Sequence, residues 1–105
     1  MRASPVIELL YFDGCPGHKR LLPLVQRLAE DAGAEIRLRR IETVEHAEAE
    51  RFLGSPTVRI DGHDVDRDAA PRTDYGLKCR LYRVDGAQSQ TPPEAWIKAA
   101  LDRSP

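Results

Sequence analysis

The chain has 105 residues, of which 41% are hydrophobic, the size of one domain able to bury a core without metal or disulfide staples. Its 16 basic and 17 acidic residues leave a formal net charge of −1, so the broad basic field that nucleic-acid binding relies on is missing and no nucleic-acid partner is expected. The apolar run at 6–12 is broken by Glu8 and preceded by Pro5, which argues against both a signal-peptide core and a spanning helix; a cytoplasmic location without a membrane partner is expected.

In chain order, residues 6–12 are short, β-compatible and bounded by Pro5 and Asp13-Gly14, the pattern of a buried central strand. From Pro16 onward Leu21, Leu24, Val25, Leu28 and Ala32 recur at three- and four-residue spacing, one face of a helix that Gly33 should stop. Pro16 suits the first helical position, and Pro23 should kink the helix by clashing with the Lys19 carbonyl. Residues 34–41 alternate, with Ile36 and Leu38 against Arg37 and Arg39, and read as a second strand. Thr43 can cap a second helix ended by Gly54. Residues 57–60 form a third strand, and 79–84 a fourth, stopped by Asp85-Gly86. The sequence Thr91-Pro92-Pro93-Glu94 is a capping box for a last helix that packs through Trp96, Ile97, Ala100 and Leu101. The expected order is therefore strand, helix, strand, helix, strand, strand, helix. One connection, 62–78, has 17 residues where a hairpin loop commonly has about 2–5.

The run Cys15-Pro16-Gly17-His18-Lys19 at the predicted strand-to-helix junction, Pro23 four residues on, and Ser55-Pro56-Thr57 before the third strand together resemble the active-site framework of the thioredoxin superfamily. Cys15 stands at the position of the nucleophilic thiol, His18 at that of the resolving cysteine, and Pro56 at that of the cis-proline. The phrases at 8–16, 52–57 and 75–82 are similar to a family of small bacterial thioredoxin-like proteins, some labelled alkylmercury lyase-like. The resemblance implies a single α/β domain over 1–105 with a four-stranded mixed sheet flanked by three helices. It also implies parallel pairing of the first and third strands and an antiparallel third–fourth hairpin. If Pro56 is cis, the backbone of Ser55 would be left unpaired beside Cys15, so Ser55 and Pro56 are the expected substrate-binding residues. Gly14 replaces the family's usual Trp, and Leu9 stands about where thioredoxins bury a proton-transferring Asp, so general disulfide reductase activity is not implied.

The chemistry expected at Cys15 follows from its place. A sulfur just before a helix faces unpaired N–H groups and the positive end of the helix dipole, which favour thiolate. His18, about one turn on, could pair with that thiolate, although the same helix end disfavours a charged imidazole. His18 cannot resolve a mixed disulfide, so monothiol behaviour is expected, with glutathione, another protein or Cys79 completing the exchange. Hairpin geometry puts the start of the fourth strand at the end of the sheet remote from Pro56, so a buried Cys79 and no Cys15–Cys79 disulfide are expected. A change of register in the long 62–78 connection would bring Cys79 back.

Three function classes follow. The first is a thiol-dependent redox protein with Cys15 and His18 catalytic, a small thiol or protein thiol or disulfide as partner, and no cofactor. The second is a soft-metal or organomercurial binding or processing protein whose candidate ligands are Cys15, His18 and Cys79. The third is a non-catalytic interaction module that uses the 62–78 connection. Asp61, Asp64, Asp66 and Asp68 lack the central glycine and closing glutamate of a calcium loop and read as a solvated acidic stretch.

Overall fold

The computed structural model describes residues 4–103; positions 1–3 of the segment read above for a leader lie outside them. The elements are β1 (Val6–Tyr11), α1 (Gly17–Ala32), β2 (Glu35–Arg40), α2 (Val44–Ala49), β3 (Thr57–Ile60), β4 (His63–Asp64), β5 (Tyr82–Val84), β6 (Ala87–Ser89) and α3 (Glu94–Arg103). A four-stranded mixed sheet in the order β2-β1-β3-β4 carries three helices, and β5-β6 form a separate hairpin. Among the described residues, no helix is long and apolar enough to cross a membrane.

Strand alternation sorts the core onto the two faces of the sheet. Ile7 and Leu9 of β1, with Val58 and Ile60 of β3, meet Leu21, Val25 and Leu28 of α1, and Ile97 of α3 closes the same cluster. Leu10 points the other way, onto Ile41, Ala47 and Phe52 around α2. Burying each such aliphatic side chain contributes roughly 1.5–3 kcal/mol against the ordering of the chain. The helix α1 runs through Pro23 and ends at Gly33 in the left-handed region, φ 65°, while Ala32, expected on the buried face, is exposed. Thr43 caps α2 by accepting from the His46 N–H at 3.0 Å. That helix stops at Ala49, well before Gly54, the stop expected from the sequence.

Two strand expectations are corrected. The first strand pairs parallel with β2 and antiparallel with β3, rather than parallel with β3. The cause is where the connections lie. Because β2 ends with Arg40 opposite Tyr11, and β3 begins with Thr57 opposite Leu10, the segment 41–56 stays at one end of the sheet and β3 must run back down.

The partner of β3 at the edge is β4, not 79–84. Asp61-Gly62, with φ 51° and 86°, makes the tight turn whose twist suits a hairpin, and the chain pairs at once through His63 and Asp64. The predicted fourth strand survives only as β5, folded onto β6 across a second turn of the same kind at Asp85-Gly86, φ 52° and 83°. The chain therefore climbs back along β3 from His63, and by residue 79 it has reached the end of the sheet that carries the start of α1.

Candidate active site

The end of the sheet reached by the C-terminus of β1 and the N-terminus of β3 brings together Cys15, Ser55, Pro56 and Cys79. Cys15 ends the turn after β1, with its N–H bonded to the Phe12 carbonyl, and α1 follows directly. Pro16 is the N-cap, one position earlier than expected, and supplies no side-chain bond; the first turn holds no acidic residue. The start of α1, directly after Cys15, therefore carries no side-chain cap and no anion of its own against the positive end of the helix dipole. The Ser55-Pro56 peptide bond is cis. Pro56 packs so closely on α1 that a Cβ at Gly17 would lie 3.1 Å from its Cδ, which explains the absence of a side chain at position 17.

Cys15 and Cys79 form a disulfide, with Cα atoms 5.6 Å apart. This overturns the expectations of a remote Cys79 and of a lone thiol. The inference from hairpin geometry failed because it took 79–84 as the return strand; β4 returns first, and 65–78 carries the chain on to Cys15. Burial is reversed as well: Cys15, expected near the surface, is 6% exposed, and Cys79, expected in the core, is exposed.

The backbone of Ser55, expected to await a substrate, is already paired. Its N–H donates to the Lys78 carbonyl at 2.8 Å and its carbonyl accepts from the Arg80 N–H at 2.9 Å, a parallel bridge across Cys79. The bond from the Gly76 N–H to the Phe52 carbonyl, 3.0 Å, extends the same alignment. Cys15 Sγ lies 3.6 Å from the Ser55 carbonyl oxygen. Gly54 makes the approach feasible: at φ 127°, a Cβ there would meet the Lys78 oxygen and the Arg80 Cβ, each at 3.0 Å.

Arg80 is the residue that sequence reasoning missed. Its side chain is fully buried, with Nη1 donating to Asp64 Oδ2 at 2.7 Å and to Thr57 Oγ1 at 3.1 Å. Nη2 reaches Asp64 Oδ1 at 3.2 Å and Asp66 Oδ2 at 3.5 Å. The guanidinium carbon also sits 4.4 Å from the centroid of the Tyr82 ring. Tyr82 in turn donates its hydroxyl to the Pro56 carbonyl, and burial pushes its pKa above the ordinary phenol value although the nearby Arg80 pulls the other way. The phenol stays protonated and keeps that bond. Two of the four aspartates read as a solvated stretch thus bind Arg80. The available signal was Asp61-Gly62, a hairpin dipeptide that sets acidic residues opposite the returning chain.

His18 is brought near Cys15, but toward its backbone. Its Nδ1 lies 3.0 Å from the Cys15 carbonyl oxygen, an acceptor only, so Nδ1 carries the proton. The ring stacks on Tyr11 with centroids 4.1 Å apart. That arrangement holds the helix start in place and turns Nδ1 away from the role of thiolate partner. Among the described residues, no group of three or more His, Cys, Asp and Glu side chains could hold a metal ion, so Cys15, His18 and Cys79 do not assemble as a three-ligand set.

The arrangement is a disulfide flanked by backbone bonds that do not run through the sulfur–sulfur bond: Cys15 N–H to the Phe12 carbonyl on one side, and Lys78 and Arg80, either side of Cys79, to Ser55 on the other. No protein-family model matches the chain, and no curated protein matches it.

Proposed function

We propose that this protein is a thioredoxin-like thiol–disulfide redox protein whose working pair is Cys15 and Cys79, separated by 64 positions, rather than a Cys-x-x-His monothiol. The observation that carries the reading is the pair itself, at bridging distance beside cis-Pro56 and an uncapped helix start. Helix-end stabilisation of a thiolate makes Cys15 a good leaving group when the disulfide opens. The partners are small thiols or protein thiols and disulfides, and the compartment is the cytoplasm, where a pair of this kind cycles instead of serving as a permanent staple. His18 supports the site through the Cys15 carbonyl and Tyr11.

The test is a titration of the protein against glutathione and dithiothreitol redox buffers, read by the mass added when free thiols are alkylated. A reversible two-electron transition that gains two alkyl groups at once is expected, abolished by Cys15→Ser or Cys79→Ser. A pair that stays dithiol, or stays oxidised, across both buffers refutes the reading.

A second reading is favoured by the same proximity. Reduced Cys15 and Cys79 would offer two soft sulfurs to one ion, which suits a two-coordinate soft metal such as mercury and not a closed tetrahedral zinc site. One-to-one mercury binding by the reduced protein, lost in each cysteine variant, would support it; retention in Cys79→Ser would sink it.

A further inference from the structure

We propose that Cys79, and not Cys15, is the sulfur attacked by an external thiol, with Cys15 acting as the internal leaving and resolving group and Arg80 as the residue that keeps Cys79 in position. The inference rests on the redox reading above and inverts the roles that the position of Cys15 suggests. Three observations carry it.

The first is access. Cys79 is exposed, whereas Cys15 is 6% exposed, with the Ser55 carbonyl oxygen 3.6 Å from its sulfur. Exchange proceeds by a thiolate approaching one sulfur of the disulfide, so the reachable sulfur is the one attacked.

The second is the fate of the electron pair. When a thiolate RS⁻ bonds to Cys79 Sγ, the Cys15–Cys79 bond breaks and its pair leaves on Cys15 Sγ, at the start of α1. No side-chain cap or first-turn acid competes there, and the thiolate of lower pKa leaves faster. The product is RS–S–Cys79 with a Cys15 thiolate. A second thiolate then attacks the R sulfur, releasing RSSR and the Cys79 thiolate. Two thiols are oxidised to one disulfide, and the protein disulfide is reduced to two thiols. In the opposite direction Cys79 takes up one half of RSSR, and the Cys15 thiolate displaces it to close the ring.

The third is retention. The Ser55 bonds to Lys78 and Arg80, and the Arg80 guanidinium bound by Asp64, Asp66 and Thr57, do not depend on the sulfur–sulfur bond. Cys79 therefore remains over Cys15 once the bond opens, and the mixed disulfide is displaced intramolecularly rather than by encounter.

The experiment begins with the oxidised full chain, mixed with reduced glutathione and excess iodoacetamide, quenched in acid and mapped by peptide mass spectrometry. Glutathione on Cys79 with carbamidomethyl on Cys15 is expected; the reverse labelling overturns the proposal. Because rapid closure can keep this intermediate scarce, a second measurement compares loading of the reduced variants by glutathione disulfide at about pH 10, where both thiols are ionised: Cys15→Ser, which loads at Cys79, and Cys79→Ser, which loads at Cys15. Loading of Cys79 should be at least about tenfold faster, or Cys15 should resist loading altogether. Equal rates, or faster loading of Cys15, overturn the assignment. A protein whose mass shows no Cys15–Cys79 disulfide after oxidation refutes the redox reading itself, which separates the two failures.

Discussion

Reducing the Cys15–Cys79 bond should lower the thermal stability of the domain substantially while leaving its fold in place. The bond closes a loop with a sequence separation of 64. Loop-closure entropy assigns a cross-link of that span about 4 kcal/mol, exerted on the unfolded chain. The folded state loses little besides the covalent bond, because segment 78–80 stays paired to Ser55 and Arg80 stays buried. For a domain of this size, about 4 kcal/mol corresponds to a fall in melting temperature of roughly 15–20 °C, from a total stability that is typically only about 5–15 kcal/mol. The assay is thermal unfolding by circular dichroism with and without a phosphine reductant, with Cys15→Ser and Cys79→Ser as controls that reductant should not affect. Far-ultraviolet spectra at 25 °C should be nearly the same in both redox states. A fall of less than about 5 °C would refute the reasoning, by showing that the closed loop does not restrict the unfolded chain as supposed. Loss of the folded spectrum on reduction would refute its other half, that hydrogen bonds alone hold residues 78–80.

Arg80→Met should destabilise the reduced protein by about 3–5 kcal/mol, because it leaves the partly buried carboxylates of Asp64 and Asp66 without their cation; urea unfolding at neutral pH measures it, and a loss under about 1 kcal/mol would contradict the anchoring role. Gly54→Ala, at φ 127° with the Lys78 oxygen 3.0 Å from the new Cβ, should cost about 2 kcal/mol or more. Gly76→Ala, which meets nothing within 4 Å, should stay within about 0.5 kcal/mol, and equal unfolding midpoints for the two would sink the close-approach argument. Asp74, bonded first by Arg72 and then by Lys78, has its carboxyl held well below the usual aspartate range. Its folded-state pKa is depressed, so its contribution is present above the unfolded value and lost as the pH falls through the folded one. The pairs are largely exposed, so each is worth at most about 1 kcal/mol. Wild type and Asp74→Asn should therefore differ slightly in urea midpoint at pH 7 and converge in strong acid, and a gap that widens in acid would contradict the assignment.

The parts of the fold legible in the sequence are those set by local pattern. The strand at 34–41, the apolar face of α1 around Val25 and Leu28, Gly33 at its end, and Thr43 as a cap each depend on residues within a few positions, and each is seen within a residue or two, although Leu38 of the strand is exposed on this sheet edge. The location of Cys15 at the helix start is readable from the pattern around Pro16, and the cis bond at Pro56 from the resemblance to the thioredoxin framework. What could not be read was which strand pairs with β3. The choice turned on Asp61-Gly62, whose turn makes the two-residue β4 the partner, and a two-residue strand has too few positions to show alternation. Everything about Cys79 followed from that choice. With 79–84 as the return strand it falls at the far end of the sheet; with β4 in that place, the same residue arrives beside Cys15. The role of Arg80 was hidden for the same reason, since Asp64, Asp66 and Thr57 lie 14 to 23 positions away and come together only through the tertiary path.

The pairing at Ser55 also decides how a partner can approach. An extended peptide that sought the Ser55 backbone would have to displace Lys78 and Arg80 and draw the Arg80 guanidinium out from Asp64 and Asp66. Breaking a buried ion pair of this kind costs about 3–5 kcal/mol, which would weaken such a peptide by roughly two to four powers of ten. A thiol that approaches exposed Cys79 meets no such cost, because it leaves both Ser55 hydrogen bonds and the Arg80 cluster intact. Under the proposed redox role, selection at this site would therefore rest on access to one sulfur, and not on the sequence of a bound strand. Small thiols, or a protein cysteine carried on a narrow loop, fit that requirement better than an extended polypeptide laid along the cis-proline.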